Sequence, residues 1–176
     1  MEQRISSKQI YDGRVISLRV DEVVRDGIPV VREVVEHRGA AVIVPVLEEN
    51  LIVFVRQYRY AVGEDLLEIP AGTCDEGESP EDCARRELEE ETGFKCGELQ
   101  KILECYVAPG YSTEKLHFYL AQKLTRTKQN PEEDESLSVE MIPLSSALSK
   151  IRDGKICDAK TICALHRVLD FLHESH

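Results

Sequence analysis

The sequence lacks the features that would place the protein in a membrane, outside the cell or on nucleic acid. No apolar run approaches the roughly 20 residues that a membrane-spanning helix needs. Residues 1–4 do not resemble the core of a signal peptide. The formal net charge of −11 at pH 7 argues against nucleic acid or an anionic membrane as the main partner, because both require a basic surface. We therefore predict a cytoplasmic protein that binds neither nucleic acid nor membranes.

The sequence also lacks the spacing of the common disulfide, zinc and catalytic motifs. The six cysteines stand at irregular separations without a CxxC pair, and the five histidines share no metal-ligand spacing. This distribution is typical of reduced, mostly buried thiols. The chain contains no G-x-S-x-G elbow, no Walker loop, no G-x-G-x-x-G and no H-E-x-x-H.

The pattern of apolar residues predicts an α/β fold. The chain has 176 residues and is 42% hydrophobic, which is enough for one domain with a core. Residues 1–38 indicate β structure, with a hairpin that turns at Asp26 and Gly27. Because an isolated hairpin is marginally stable, it should pack against the rest of the chain or a second subunit. Further strands are predicted over residues 40–46, 51–60, 99–107, 115–124 and 137–142, and helices over 79–92, 145–152 and 158–173. This order predicts a mixed sheet with helices on both faces.

Residues 72–94 combine a loop-to-helix transition with a dense acidic patch. Six acids and two bases lie between residues 81 and 91. Glu87 and Glu91 are four residues apart with Glu90 beside them, so three carboxylates share one helical face and repel one another. A hard cation such as Mg²⁺, which binds carboxylates and phosphate oxygens, would relieve that repulsion. Arg86, four residues before Glu90, is placed to orient one of the carboxylates.

The ends of this helix carry local signals. Ser79 is a candidate N-cap, although the shorter Asp82 stands where a full capping box has glutamate or glutamine. Gly93 is placed to end the helix. Gly72 and Gly77 are candidates for positive φ in the preceding loop.

A plain solvated acidic helix would not explain why Gly72, Glu78 and Gly93 stand at fixed offsets from the acidic residues. Together these residues match the Nudix box, G-x5-E-x7-R-E-U-x-E-E-x-G-U with U apolar, at every position. The chain thus resembles the Nudix hydrolase superfamily. Pro109 lies 16 residues after Gly93, the spacing that marks the ADP-ribose pyrophosphatase branch. Similarity to that branch extends over residues 32–44, 55–59, 67–72, 109–110 and 158–161.

The resemblance implies a fold, a reaction and an assembly. The fold is an α/β/α sandwich with a mixed sheet in residues 39–176, preceded by an N-terminal β region, residues 1–38, that serves dimerisation. The reaction is hydrolysis of ADP-ribose to AMP and ribose 5-phosphate with Mg²⁺, or alternatively Mn²⁺. The expected partners are a small-molecule nucleotide diphosphate and a second copy of the chain.

The resemblance also implies site residues. Arg86 would orient the metal-binding glutamates, Glu78 would be the accessory acid of the box, and Arg32 would reach the substrate from the neighbouring subunit. The metal ligands would be the carbonyl of Ala71 and the carboxylates of Glu87, Glu90 and Glu91, with Glu90 and Arg86 also counted as catalytic. The substrate contacts would be Arg32, Arg59, Glu68, Pro109 and Glu114.

Some assignments stay open at this point. The general base is expected on the loop before the last strand, at Glu135 or alternatively at Glu133. Glu68 could instead be a buried partner of a nearby arginine. The substrate could be a nucleotide sugar, a dinucleoside polyphosphate or an oxidised nucleotide. A catalytically silent module that senses nucleotides is a further alternative, although it would have no need of all three glutamates.

Overall fold

The computed structural model describes residues 1–130 and 136–174, which form two compact units. The first unit comprises residues 1–39 and 105–116, and the second comprises residues 40–104 and 117–176. The first unit therefore contains the N-terminal region singled out in the sequence together with a second segment. The dimerisation role of that region stays a prediction. Within the part of the chain that the model describes, no helix is long and apolar enough to cross a membrane.

The first unit is built on a three-stranded antiparallel sheet in the order β1-β2-β3. Its strands are β1 (Glu2–Asp12), β2 (Ser17–Arg25) and β3 (Ile28–Glu36). The predicted hairpin joins β2 and β3, and both turn residues have positive φ, 52° at Asp26 and 81° at Gly27. Strand β1 was not predicted separately. All of its residues are exposed, so it lacks the alternation that a half-buried strand shows.

The second unit contains two sheets that carry its core. The strands are β4 (Ala40–Pro45), β5 (Leu51–Arg59), β6 (Glu64–Glu68), β7 (Ala71–Thr73), β8 (Phe94–Tyr106), β9 (Lys115–Arg126) and β10 (Leu137–Pro143). The last two residues of β8 and the first two of β9 belong to the first unit. One sheet has the order β7-β4-β9-β8 and the other β10-β5-β6. Strand β8 begins at Phe94 rather than at the predicted Leu99, because the chain passes from Gly93 into the strand without a loop.

In the described ranges three α-helices, α1 (Pro80–Thr92), α2 (Leu144–Arg152) and α3 (Ala159–Glu174), complete the mixed α/β fold, which confirms the predicted class. Helix α1 packs one side of β4, since Ala84 and Leu88 belong to the same buried cluster as Ala41 and Ile43. Burial of a side chain such as that of Leu88 contributes about 1.5–3 kcal/mol.

Strand β4 is the centre of the layered arrangement because it is buried on both faces. Successive side chains of a strand point to opposite faces, so Val42 and Val44 point away from α1. Both are completely buried. Helix α3 also packs against β4, and we assign it to this second face because α1 occupies the first. The near-continuous apolar run of β4 follows from this double burial.

Both ends of α1 are fixed by the signals that the sequence carries. Ser79 has extended backbone angles, and its hydroxyl accepts a hydrogen bond from the Asp82 backbone N–H at 3.1 Å. Gly93 has a φ of 68°, and its N–H donates to the Glu89 carbonyl at 2.9 Å. The segment after β9 also contacts this end, because the Thr127 N–H donates to the Gly93 carbonyl at 2.8 Å.

Replacing Gly93 with alanine should lower the free energy of unfolding by about 1–2 kcal/mol, the cost of the left-handed conformation for a residue with a Cβ. The added Cβ would also lie 2.9 Å from the Gln129 backbone nitrogen, which adds to the cost. Urea denaturation measures the change. Gly110→Ala is the matched control, because a Cβ there meets no atom within 4 Å and the φ of Gly110 is not positive. Equal effects of the two substitutions would contradict this reading of the helix end.

Candidate active site

The guanidinium of Arg86 binds three carboxylates around the start and one face of α1. Its Nε and Nη2 each donate to Glu78 at 2.9 Å, which makes a bidentate pair. Its Nη1 donates to Glu87 at 2.6 Å and to Glu90 at 3.0 Å. Its Nη2 also donates to the Thr73 carbonyl at 3.3 Å. The hydrogen bonds to Glu78 are the main reason that the pKa of Arg86 is raised further above its ordinary value.

Glu78, eight residues before Arg86, is held between Arg86 and the loop backbone. Besides its pair with Arg86, it accepts a hydrogen bond from the Asp75 N–H at 2.9 Å. The Arg86 guanidinium holds the pKa of Glu78 at about 2, against partial burial that would raise it. The Asp75 N–H lowers the pKa further. Glu78 is therefore an anchor, ionised at neutral pH, that joins the loop to the helix.

Gly72 lies directly against the Glu87 carboxylate. A Cβ on Gly72 would lie 2.0 Å from the Glu87 carboxyl carbon. The φ of Gly72 is not positive, so the expectation of a positive φ was wrong for this residue. The expectation was correct for Gly77, which has a φ of 80°. Gly72 thus makes room for a carboxylate, whereas Gly77 makes a turn.

Glu91 is the most buried carboxylate of α1, with 2% of the residue exposed. Its Oε2 accepts a hydrogen bond from the Ala71 N–H at 3.1 Å, which fixes the carboxylate against the segment before Gly72. The end of the helix is held as well. The Gln129 side chain donates to the Glu91 carbonyl at 2.6 Å, and the Asn130 N–H donates to the Glu90 carbonyl at 3.0 Å.

The donor set at this face fits a hard divalent cation in its chemistry. Glu87, Glu90 and Glu91 supply carboxylate oxygens from one helix, and Ala71 adjoins Glu91. Within residues 1–130 and 136–174, no three acidic, histidine or cysteine side chains are grouped closely enough to hold a metal. Hydrogen bonds account for the separation of these carboxylates. Arg86 binds Glu87 and Glu90, whereas the Ala71 N–H binds Glu91.

A second charged cluster surrounds Glu68, whose side chain is 1% exposed. Arg59 donates to both of its oxygens, from Nε at 2.9 Å and from Nη2 at 2.8 Å. Lys160 of α3 also forms an ion pair with Glu68. Burial by itself would raise the pKa of Glu68, but the hydrogen bond from Arg59 and the charge of Lys160 hold it below its ordinary value. Glu68 is therefore a buried partner of an arginine, and its contact with the substrate stays a prediction.

Three residues predicted to contact substrate lie in the first unit. Arg32, on β3, forms an ion pair with Glu2 at 2.6 Å. Pro109 lies in a turn closed by the Tyr111 N–H and the Ala108 carbonyl at 3.1 Å. Glu114 follows this turn. Their substrate contacts stay predictions.

The two candidate bases, Glu133 and Glu135, lie outside the residues that the model describes. Conversely, sequence reasoning gave no site role to Lys160, which lies 92 residues from Glu68 along the chain. The similarity to the ADP-ribose pyrophosphatase branch over residues 158–161 is the sequence signal that points to Lys160.

Comparison with known proteins supplies independent findings. A NUDIX domain model matches residues 36–165. The chain is 39% identical over 168 residues to a methanol dehydrogenase activator of Bacillus methanolicus, covering 93% of this chain and 90% of that protein. It is 39% identical over 167 residues to an ADP-ribose pyrophosphatase of Bacillus subtilis, with the same coverage of 93% and 90%. It is 37% identical over 154 residues to a GDP-mannose pyrophosphatase of Citrobacter koseri, covering 82% and 78%. The crystal structure of an ADP compounds hydrolase matches with a TM-score of 0.87 and 24% identity, covering 99% of this chain and 95% of that one, which shows the fold.

The ion pair between Arg86 and Glu78 should make stability depend on pH in acid. The pKa of Glu78 is lowered in the folded state from 4.5 to about 2, so its contribution is complete above pH 4.5 and is lost as the pH falls through 2. We expect Glu78→Gln to be less stable than the wild type at pH 7, with a difference that narrows as the pH falls from 4.5 towards 2. Urea denaturation over a pH series tests this. The control is Glu76→Gln, at an exposed neighbour in the same loop. A difference that stays constant with pH would contradict the assignment.

Proposed function

Because the chain belongs to the Nudix family, we propose that it hydrolyses the diphosphate bond of ADP-ribose to give AMP and ribose 5-phosphate. The observation that supports this most directly is the set of carboxylates on α1 gathered around Arg86. The ADP-ribose pyrophosphatase of Bacillus subtilis, 39% identical over most of both chains, supports the choice of substrate.

The reaction requires a cation, and Nudix hydrolases generally use a divalent metal ion. The residues that would hold it are Glu87, Glu90 and Glu91, with the carbonyl of Ala71. We propose Mg²⁺ as the ion, with Mn²⁺ as a replacement, since the donors are oxygens. When bound, the ion supplies charge neutralisation at the phosphates and lowers the pKa of the attacking water.

The chain itself contributes positioning and proton transfer. Arg86 fixes the orientation of Glu87 and Glu90 through hydrogen bonds of 2.6 and 3.0 Å. Arg59 binds a phosphate of the substrate while Glu68 holds its guanidinium in place. A carboxylate on the loop before β10 takes the proton of the attacking water, with Glu135 as the first candidate and Glu133 as the second.

We propose that the enzyme acts as a homodimer in the cytoplasm. The N-terminal sheet supports a second copy as partner, because Ile5, Ile10 and Tyr11 are all more than half exposed on its edge strand. Arg32 would then reach the active site of the partner subunit, and Pro109 and Glu114 would also contact the substrate.

A nucleotide sugar is the second candidate substrate. The relative in Citrobacter koseri is a GDP-mannose pyrophosphatase and is 37% identical to this chain. Both candidates contain a nucleoside diphosphate, so the acidic helix would serve either one. The two candidate substrates differ in the moiety beyond the second phosphate, so the residues that contact this moiety would decide between them.

Hydrolysis of a panel of diphosphates with titrated Mg²⁺ or Mn²⁺ tests the proposal. The panel contains ADP-ribose, GDP-mannose, a dinucleoside polyphosphate and an oxidised nucleotide. The expected result is cation-dependent release of AMP, with kcat/KM highest for ADP-ribose. A higher value for GDP-mannose would move the assignment to nucleotide sugars. Absence of cation-dependent cleavage across the panel would favour a module that senses nucleotides.

Glu90→Gln and Glu91→Gln should each lower kcat by about 100-fold or more, because a lost carboxylate ligand removes several kcal/mol of transition-state stabilisation. The matched control is Glu89→Gln on the same helix. Glu89 is engaged away from the carboxylate face, with Lys95 at 3.1 Å, and its replacement should leave kcat within a few-fold of wild type. Circular dichroism checks that the variants are folded. Near-normal turnover in both Glu90→Gln and Glu91→Gln would reject the metal-binding role of α1.

The two candidate bases are separated by the size of their effects on kcat. Glu135→Gln should cost more activity than Glu133→Gln, because the former aligns with the base of the family. The pH dependence of kcat checks the assignment, since loss of the base removes the acidic limb of the profile. The reverse order of effects would place the base at Glu133.

A further inference from the structure

Lys160 belongs to a network of four charged residues, which are Arg59, Glu68, Asp158 and Lys160. Its ammonium contacts Glu68 and lies 3.1 Å from Oδ1 of Asp158. The other oxygen of Asp158 accepts hydrogen bonds from the backbone N–H of Thr161 at 3.0 Å and from its hydroxyl at 2.6 Å. The Thr161 oxygen in turn accepts a hydrogen bond from the Ile69 N–H at 3.0 Å. The start of α3 is thereby fixed to the residue that follows Glu68.

This network adjoins the carboxylate face of α1 through one short stretch of backbone. The Ile69 N–H belongs to the network, and the Ala71 N–H, two residues later, binds the Glu91 carboxylate at 3.1 Å. Two residues span at most about 7 Å of extended chain. The pKa of Arg59 is raised mainly by its hydrogen bonds to Glu68 and also by the negative charge of Glu91, which indicates the same proximity.

Arg59 is the member of the network that can reach a ligand. Its Nε and Nη2 are engaged by Glu68, whereas among the residues described its Nη1 makes no hydrogen bond. Its side chain is 38% exposed, compared with 17% for Lys160. An arginine held on one edge with its other nitrogen free is suited to bind a phosphate oxygen.

The charges of the network explain what Lys160 does. Arg59 and Lys160 are cations, and Glu68 and Asp158 are anions, so the network is neutral as a whole. Without Lys160 it would carry one net negative charge beside a site for an anionic substrate. Resting on the proposed function, we infer that Lys160 sets the affinity for the substrate diphosphate by cancelling this excess charge, so that Arg59 can attract a phosphate. Lys160 is therefore a positioning residue that acts through its neighbours.

Lys160→Met should raise KM for ADP-ribose about three- to tenfold with little change in kcat, the size expected for one unit charge near a protein surface. The difference from wild type should shrink at high salt, since screening weakens the repulsion. A purely structural defect would not respond to salt in this way. Lys160→Arg keeps the charge and should retain a KM close to that of the wild type.

The double variant Lys160→Met with Asp158→Asn distinguishes charge balance from direct contact. It restores neutrality, and asparagine remains a good helix cap for Thr161. We expect its KM to return to within about twofold of wild type. A KM that stays as high as in Lys160→Met would overturn the inference and would indicate that Lys160 contacts the substrate. Lys155→Met, which removes an exposed lysine in the turn before α3, is the control for net charge.

A binding measurement separates failure of this inference from failure of the proposed function. The Kd of AMP, measured by calorimetry, should follow the same order as KM: weaker in Lys160→Met and restored in the double variant. If no diphosphate is hydrolysed but AMP binding shows this order, the inference stands and the proposed reaction fails. If hydrolysis is normal but AMP binds the wild type and Lys160→Met equally, or binds neither, the inference fails and the reaction stands.

Discussion

The contact between Arg86 and three carboxylates is the interaction on which the second unit's acidic face depends. Like charges three and four residues apart destabilise a helix, and α1 has such a set on one face. Arg86 offsets that repulsion within the helix through Glu87 and Glu90, and it fastens the preceding loop through Glu78 at 2.9 Å. One guanidinium thereby holds the loop carboxylate and two carboxylates of the helix.

The backbone from Glu68 to Ala71 connects this face to the second charged network. One end carries the buried carboxylate that holds Arg59, and the other end hydrogen-bonds to Glu91 at 3.1 Å. A short, fixed connection makes the distance between the arginine and the acidic helix a property of the fold. Charges on either side are therefore coupled, as the influence of Glu91 on the pKa of Arg59 indicates.

Relatives that are similar over most of this chain carry different names, two of them pyrophosphatases of nucleotide diphosphates and one an activator of another enzyme. The ADP-ribose pyrophosphatase and the methanol dehydrogenase activator are each 39% identical to this chain. Both are similar to this chain over 93% of its length, so similarity at this level does not by itself fix the substrate.

The sequence by itself determined the features that depend on neighbours along the chain. Ser79 and Gly93 predicted both ends of α1, the apolar run of β4 predicted a strand buried on both faces, and the box predicted the family. Only the tertiary structure placed Gly72 against the carboxylate of Glu87, fifteen residues away, where a Cβ would displace that carboxylate. Only the tertiary structure paired Glu68 with Lys160, which are 92 residues apart. Periodicity and capping are local and leave a pattern in sequence, whereas a contact between distant side chains leaves none.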